Sequence, residues 1–182
     1  MEVDELYQNA GEKGQKHLDP DDPPRRRGNQ FNGHGTYDND RPPVFGVIGR
    51  ESGEVYVQET KRSTKKVLQP LVESVTKPGT IINSDEWHAY QDLAKTGRPH
   101  VTVNHNRGEY ARDDDGDGIR EVHSNGIEGF WLGCRNFLRM FRGVHKRYLN
   151  QYVAFYACMH NFRRDVLLLL QLLLGAFTPT GP

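Results

Sequence analysis

Cysteine is almost absent. Cys134 and Cys158 are the only two among 182 residues and form no CxxC pair, so neither a zinc ribbon nor a disulfide framework can be built from this chain. A hydrophobic core must hold the fold instead, and a chain of this length can bury one as a single domain in a reducing compartment. Long apolar runs are also missing. Met1 leads directly into charged sequence, and the stretch from Val166 to Leu174 falls far short of the roughly 20 residues that a membrane span needs. The expectation is a cytoplasmic protein without a membrane partner.

Acid is missing from one long stretch. No Asp or Glu occurs from Phe130 to Arg164, while Arg135, Arg139, Arg142, Lys146, Arg147, Arg163 and Arg164 all lie within it. The formal net charge of zero therefore conceals a strong asymmetry. Such a segment attracts a phosphate backbone, because neutralised phosphates release their counterions. A solvated helix face is the ordinary alternative.

The order of elements is legible in the hydrophobic pattern. Glu2 to Gln8 reads as a short strand, and Gly11 to Pro43, rich in Gly, Pro, Asn, Asp and Arg, reads as a long loop with a disordered part. Pro43 to Ile48 and Val55 to Gln58 flank a Ser-Gly-Glu turn and predict a hairpin. Val67, Leu68, Leu71, Val72 and Val75 predict an amphipathic helix stopped by Pro78-Gly79. A short strand from Thr80 to Ile82 then ends in Ser84-Asp85-Glu86. The spacing next predicts a short helix over Trp87 to Leu93, a strand over Val101 to Asn104, and helices over Asn125 to Phe141 and Tyr148 to Arg163.

Three acids stand where packing does not call for them. Asp4 lies within the first strand, Asp85 ends a later strand, and Glu128 sits in the first turn of a helix. Strand ends and an adjoining helix can converge on one site. Carboxylates meeting there repel unless cations sit between them, and hard oxygen donors suit Mg²⁺ or Mn²⁺. Each acid also has an ordinary reading: Asp4 as a solvent-facing residue near a terminus, Asp85 as a helix cap, Glu128 as a complement to a helix dipole. Spacing alone does not decide between them.

The segments EVDELY, NSDEWHAY, VNHNRGEY and HSNGIEGFWLGCRNFLRMFRGVH occur in that order. They resemble the conserved blocks of the ISXO-type insertion-sequence transposases from Glu2 to about Arg164, with HSNGIEGFW the most specific block. The resemblance implies an α/β RNase H-like fold with a mixed central sheet flanked by helices. It also implies a DDE triad at Asp4, Asp85 and Glu128 that binds two Mg²⁺ or Mn²⁺ ions. Asn125 is the alternative third residue, since Asn125 and Glu128 share a helix face; the charged carboxylate is preferred. Arg135 stands where the family usually has Lys, which keeps the charge but changes its shape. The resemblance assigns the DNA backbone to Arg135, with Arg139, Arg142, His145 and Lys146 as further contacts. It implies DNA partners, transposon ends and target duplex, a homo-oligomer assembled on DNA, and association with the nucleoid.

The expected domain is 1–165, with 11–43 as its long loop and 166–182 as an apolar tail that packs on the core or a second subunit, or frays. Family members generally carry a zinc ribbon or another end-binding segment ahead of the first catalytic strand, and this sequence begins at that strand. The expectation is a transposase core without that module, whether a truncated copy, one half of a split enzyme or the product of a late start codon. An inactive DNA-binding remnant and a stand-alone nuclease of the same fold are the alternatives. Asp113, Asp115, Asp117 and Gly118 match the opening of an EF-hand loop, but position twelve is Ser124 instead of Glu, so an acidic solvated loop is expected. No role is assigned to His105. Trp131, Phe137 and Phe141 are read as core.

Overall fold

Strand β1 (Glu2–Tyr7) is the middle strand of the main sheet, with β2 (Pro43–Ile48) antiparallel on one side and β4 (Ile82–Ser84) parallel on the other. Strand β3 (Val55–Glu59) extends the β2 edge as a hairpin and β5 (His100–Thr102) extends the β4 edge in parallel, giving the order β3-β2-β1-β4-β5. This mixed five-stranded arrangement is RNase H-like, as expected. The computed structural model describes residues 1–11 and 34–175, so most of the expected loop at 11–43 lies outside the described residues.

Alternation along β1 and β2 sends side chains into two separate cores, because successive strand residues point to opposite faces. Val3, Phe45 and Val47 pack with Leu68 and Val72 of α1 (Lys65–Val75), together with Ile82, Tyr90 and Leu93. Leu6, Val44 and Ile48 pack on the other face against Ile127, Phe130, Trp131 and Leu138 of α2 (Asn125–Arg139) and Leu149 and Val153 of α3 (Lys146–Asn161). Trp131 is core, 2% exposed, and Phe137 and Phe141 pack at its margin. Helix α3 also closes the β3 edge: the Asn161 amide accepts from Val55 N at 2.8 Å and donates to Val55 O at 2.9 Å, replacing the ladder of a missing strand.

Two expectations need correction. The segment after Asp85 is not one helix but two short 3₁₀ turns, His88–Tyr90 and Leu93–Thr96. It is pinned where the Trp87 indole donates to Ser63 O at 3.1 Å and the Tyr90 hydroxyl donates to Glu5. Second, the polar stretch before α2 carries a small antiparallel ribbon, β6 (Ala111–Arg112) with β7 (Val122–His123), preceded by a 3₁₀ turn at His105–Arg107. The apolar tail forms α4 (Val166–Leu173) and, of the alternatives expected for it, does not pack on either core; Val166 and Leu167 are 56% and 68% exposed. Among the described residues no helix is long and apolar enough to cross a membrane.

Candidate functional site

Asp4 pairs across the sheet with Gly46, on the face that carries Leu6 and so toward α2. A Cβ at Gly46 would stand 2.6 Å from Cη2 of Trp131, so only glycine leaves room for the indole against β2 beside Asp4. Burial pushes the Asp4 carboxyl up to about 7, and the neighbouring Asp85 and Glu128 carboxylates push in the same direction. A backbone bond at Glu5 pulls the other way, as does the Trp131 indole N–H, which faces Asp4 without reaching full hydrogen-bond geometry.

Asp85 follows the last residue of β4, and its Oδ1 accepts from Trp87 N at 3.0 Å. Burial raises its carboxyl above the usual range, opposed by that bond and by the nearby His105 and His34 imidazoles. Glu128 occupies the first turn of α2, where Ser124 Oγ donates to its Oε1 at 3.0 Å and His105 Nε2 lies 3.3 Å from the same oxygen. Asp85 thus turns one oxygen to the backbone of the turn at Trp87, and Glu128 stands in the first turn of α2 with one oxygen held by Ser124.

Asp4, Asp85 and Glu128 thus face a common region, although their oxygens do not close to within 4.8 Å of one another. Three carboxylates held apart, with one driven toward its neutral form by burial and further by the other two, are the arrangement that a divalent cation relieves. The donor set is hard oxygen, which fits Mg²⁺ or Mn²⁺. Asn125 is exposed at the start of α2, three residues ahead of Glu128.

Two residues that the sequence reading passed over organise the site. Glu2, 1% exposed, accepts from Ile127 N at 2.9 Å and from Arg50 Nε at 3.1 Å, and lies 3.2 Å from His123 Nδ1. It ties the start of α2 to β1. Arg50 then donates to the carbonyls of Glu121 and His123, fixing the chain that enters α2. Glu5 points to the opposite face, buried against Tyr90, and burial together with Asp4 and Asp85 holds its carboxyl well above the usual range. Beside Asp85 opens a cleft of about 510 Å³ lined by His34, Glu86, Trp87, His88 and His105.

Among the described residues, the group of carboxylates that does close to within 4.8 Å is Asp113, Asp115 and Asp117. Their oxygens already accept from Gly116, Gly118, Asp117 and Ile119 backbone N–H groups, and the loop joins two strands instead of two helices. Of the basic residues, Arg135, Arg139 and Arg142 are exposed along and just beyond α2. Lys146 bonds Asp40 Oδ1 at 2.8 Å and lies over the Tyr37 ring, and His145 caps α3 by accepting from Arg147 N at 3.1 Å.

The sheet order and the carboxylates around it define an RNase H-like domain with a candidate cation site. The ISXO2-like transposase domain family matches residues 1–165, and the chain belongs to that family. An uncharacterized protein in transposable element ISH50 of Halobacterium salinarum is 33% identical over 169 residues, covering 91% of this chain and 52% of the relative. The chain therefore spans about half the length of that relative. An uncharacterized transposase-like protein of Haemophilus influenzae is 24% identical over 100 residues, 55% of this chain and 75% of that protein. Among solved structures, the HTLV-2 integrase catalytic core domain in complex with magnesium aligns over 70% of this chain and 78% of its own, with a TM-score of 0.43 and 14% identity. A chain of the simian T-cell lymphotropic virus intasome in complex with PP2A regulatory subunit B56 gamma aligns over 70% of this chain and 45% of its own, with a TM-score of 0.46 and 15% identity.

Proposed function

We propose that this chain is the catalytic core of a DDE transposase that cleaves DNA at the ends of an insertion sequence and joins the freed end to target DNA. The observation that carries this reading is the convergence of Asp85 and Glu128 on the partly buried Asp4, from the end of β4, the first turn of α2 and the central strand β1. Family membership supplies the substrate class.

In this reading Asp4, Asp85 and Glu128 hold two divalent ions, Mg²⁺ or Mn²⁺. Such ions supply activation of the attacking oxygen and stabilisation of the leaving one in an in-line displacement at phosphorus. Asp4 contributes from a stiff central strand, so its position is fixed by β2 and by Trp131. Asp85 turns one oxygen to Trp87 N and keeps the other for the site. Glu128 is preferred to Asn125 as the third residue because a carboxylate balances cationic charge and an amide does not. Arg135, Arg139 and Arg142 lie exposed along and just beyond α2 and position the phosphate backbone without reading sequence. Lys146 is held to Asp40 and His145 caps α3 through Nδ1, so both are less exposed to the phosphate backbone than the three arginines and their share is smaller. Concerted handling of two element ends requires at least two copies of the site, which makes a homo-oligomer on DNA part of the proposal.

The test is cleavage and joining of labelled duplex carrying the element's ends, with Mg²⁺ or Mn²⁺, by the chain and by Asp85→Ala. Joined product that disappears in Asp85→Ala supports the transposase. Hydrolysis without joining makes the chain a nuclease, and duplex binding without cation-dependent cleavage makes it an inactive remnant.

A further inference from the structure

The cleft beside Asp85 contains a donor that the carboxylate triad leaves out. Strands β4 and β5 run parallel with Ser84 opposite Thr102, and Val103 N continues the ladder to Ser84 O at 3.1 Å. The chain segments that follow them, carrying Asp85 and His105, therefore leave the sheet side by side at its carboxyl end. His105 is not on a free loop. It opens a 3₁₀ turn in which the Asn104 side chain accepts from Arg107 N at 2.9 Å and Gly108 N returns to His105 O at 3.0 Å. Glu109 braces the turn by accepting from Asn104 N at 3.0 Å, and Arg112 ties Glu109 to Thr102 O with bonds of 3.0 and 2.9 Å. This bracing holds the imidazole 3.3 Å from Glu128 Oε1 and in the cleft that Asp85 lines.

We propose that His105 is a nitrogen ligand of the cation site, which makes that site a mixed carboxylate–imidazole centre favouring a first-row transition ion such as Mn²⁺ over Mg²⁺. The proposal rests on the reading of Asp85 and Glu128 as cation ligands. A neutral imidazole is a common metal ligand, whereas Mg²⁺ takes oxygen and keeps its waters. The ring lies next to one acid and shares a cleft with the other, and although the three donors do not close to within 4.8 Å of one another, a cation drawn in by the two carboxylates passes within reach of Nε2. A purely electrostatic role for His105, pairing with Glu128 alone, requires no bond to the ion. That difference is what the experiment reads.

Pulsed electron spin echo spectroscopy of the Mn²⁺-loaded chain detects a directly bound imidazole as ¹⁴N modulation. The expected result is ¹⁴N coupling in the unaltered protein that is lost in His105→Ala and His105→Gln and kept in His88→Ala and His34→Ala. Alongside it, the Mn²⁺ dissociation constant rises about tenfold in His105→Ala, while that for Mg²⁺ changes less than about twofold. Mn²⁺ binding that Asp85→Asn abolishes but that shows no ¹⁴N coupling, or coupling that survives in both His105 variants, overturns this proposal and leaves the carboxylate site standing. No Mn²⁺ uptake by the unaltered chain overturns both.

Discussion

The carboxylate of Glu2 accepts the backbone N–H of Ile127 at 2.9 Å, joining the first strand to the first turn of α2 across 125 residues of sequence. Because Glu128 is the next residue after Ile127, this bond sets how far Glu128 stands from Asp4, two residues along β1. Arg50 Nε at 3.1 Å and His123 Nδ1 at 3.2 Å complete the surroundings of a side chain that is only 1% exposed. Replacing Glu2 with Ala leaves Arg50 Nε and Ile127 N without their buried acceptor, while Arg50 keeps its bonds to the Glu121 and His123 carbonyls, and is expected to cost about 3 kcal/mol in urea unfolding. Glu2→Gln, which keeps an acceptor for Ile127 N, should cost less. A loss below about 1 kcal/mol for Glu2→Ala removes the anchor from the account.

The raised Asp4 carboxyl makes stability depend on pH. Its ordinary value is 3.8 and its folded value about 7, so between those limits the folded chain keeps a proton that the unfolded chain releases. The stability this contributes is full below pH 4 and is lost as pH rises through 7. Without divalent cations, Asp4→Asn should therefore gain on the unaltered protein from pH 4 to pH 8, by up to about 4 kcal/mol. Added Mn²⁺ at pH 8 should stabilise the unaltered protein and not Asp4→Asn. Denaturant midpoints across that range check both statements.

Gly46 should tolerate no side chain. A Cβ there meets the rigid Trp131 ring, 2.6 Å from Cη2, and the ring is enclosed by the α2 core. Gly46→Ala is expected to cost about 1–3 kcal/mol and to disturb Asp4 across the strand pair. Thermal unfolding measures the first effect, and Mn²⁺ affinity the second.

Arg98 separates structure from chemistry. It is 5% exposed and donates to Thr76 Oγ1 at 2.7 Å, Thr76 O at 2.7 Å, Glu73 O at 3.0 Å and Thr96 O at 3.0 Å, locking the end of α1 to the start of β5. Arg98→Met should destabilise by about 2–4 kcal/mol while leaving cation affinity near that of the unaltered protein below the melting transition. Calorimetry of the two properties on one sample tests this.

The sequence carried the sheet well because β1, β2, β3 and α1 have clear apolar periods, and each was bounded to within about two residues. The Trp87–Leu93 segment misled for a local reason. Its apolar residues fit a helical turn, but long-range bonds from Trp87 to Ser63 and from Tyr90 to Glu5 pull it into 3₁₀ geometry. The β6–β7 ribbon has two residues per strand, too few to show a period, and depends on Arg50 holding the carbonyls of Glu121 and His123. Helix α3 begins at Lys146, earlier than its apolar pattern suggests, because His145 caps it.

At the proposed site, Asp4, Asp85 and Glu128 stand out in the sequence as acids in unusual places. Glu2 was not, since a buried acid with three partners reads like any exposed one until the fold supplies Ile127, Arg50 and His123. His105 could be given no role from the sequence for the same reason: only the parallel pairing of β4 with β5 brings it beside Asp85, and only the fold sets it against Glu128.

The most direct measurement of the central claim is Mn²⁺ binding at pH 8 by titration calorimetry, for the unaltered chain and for Asp4→Asn, Asp85→Asn and Glu128→Gln. Each substitution is expected to weaken binding at least about tenfold, because all three carboxylates serve one site. Binding that survives all three substitutions and is lost on replacing Asp113, Asp115 and Asp117 with Asn would contradict it, placing the cation in the exposed loop instead.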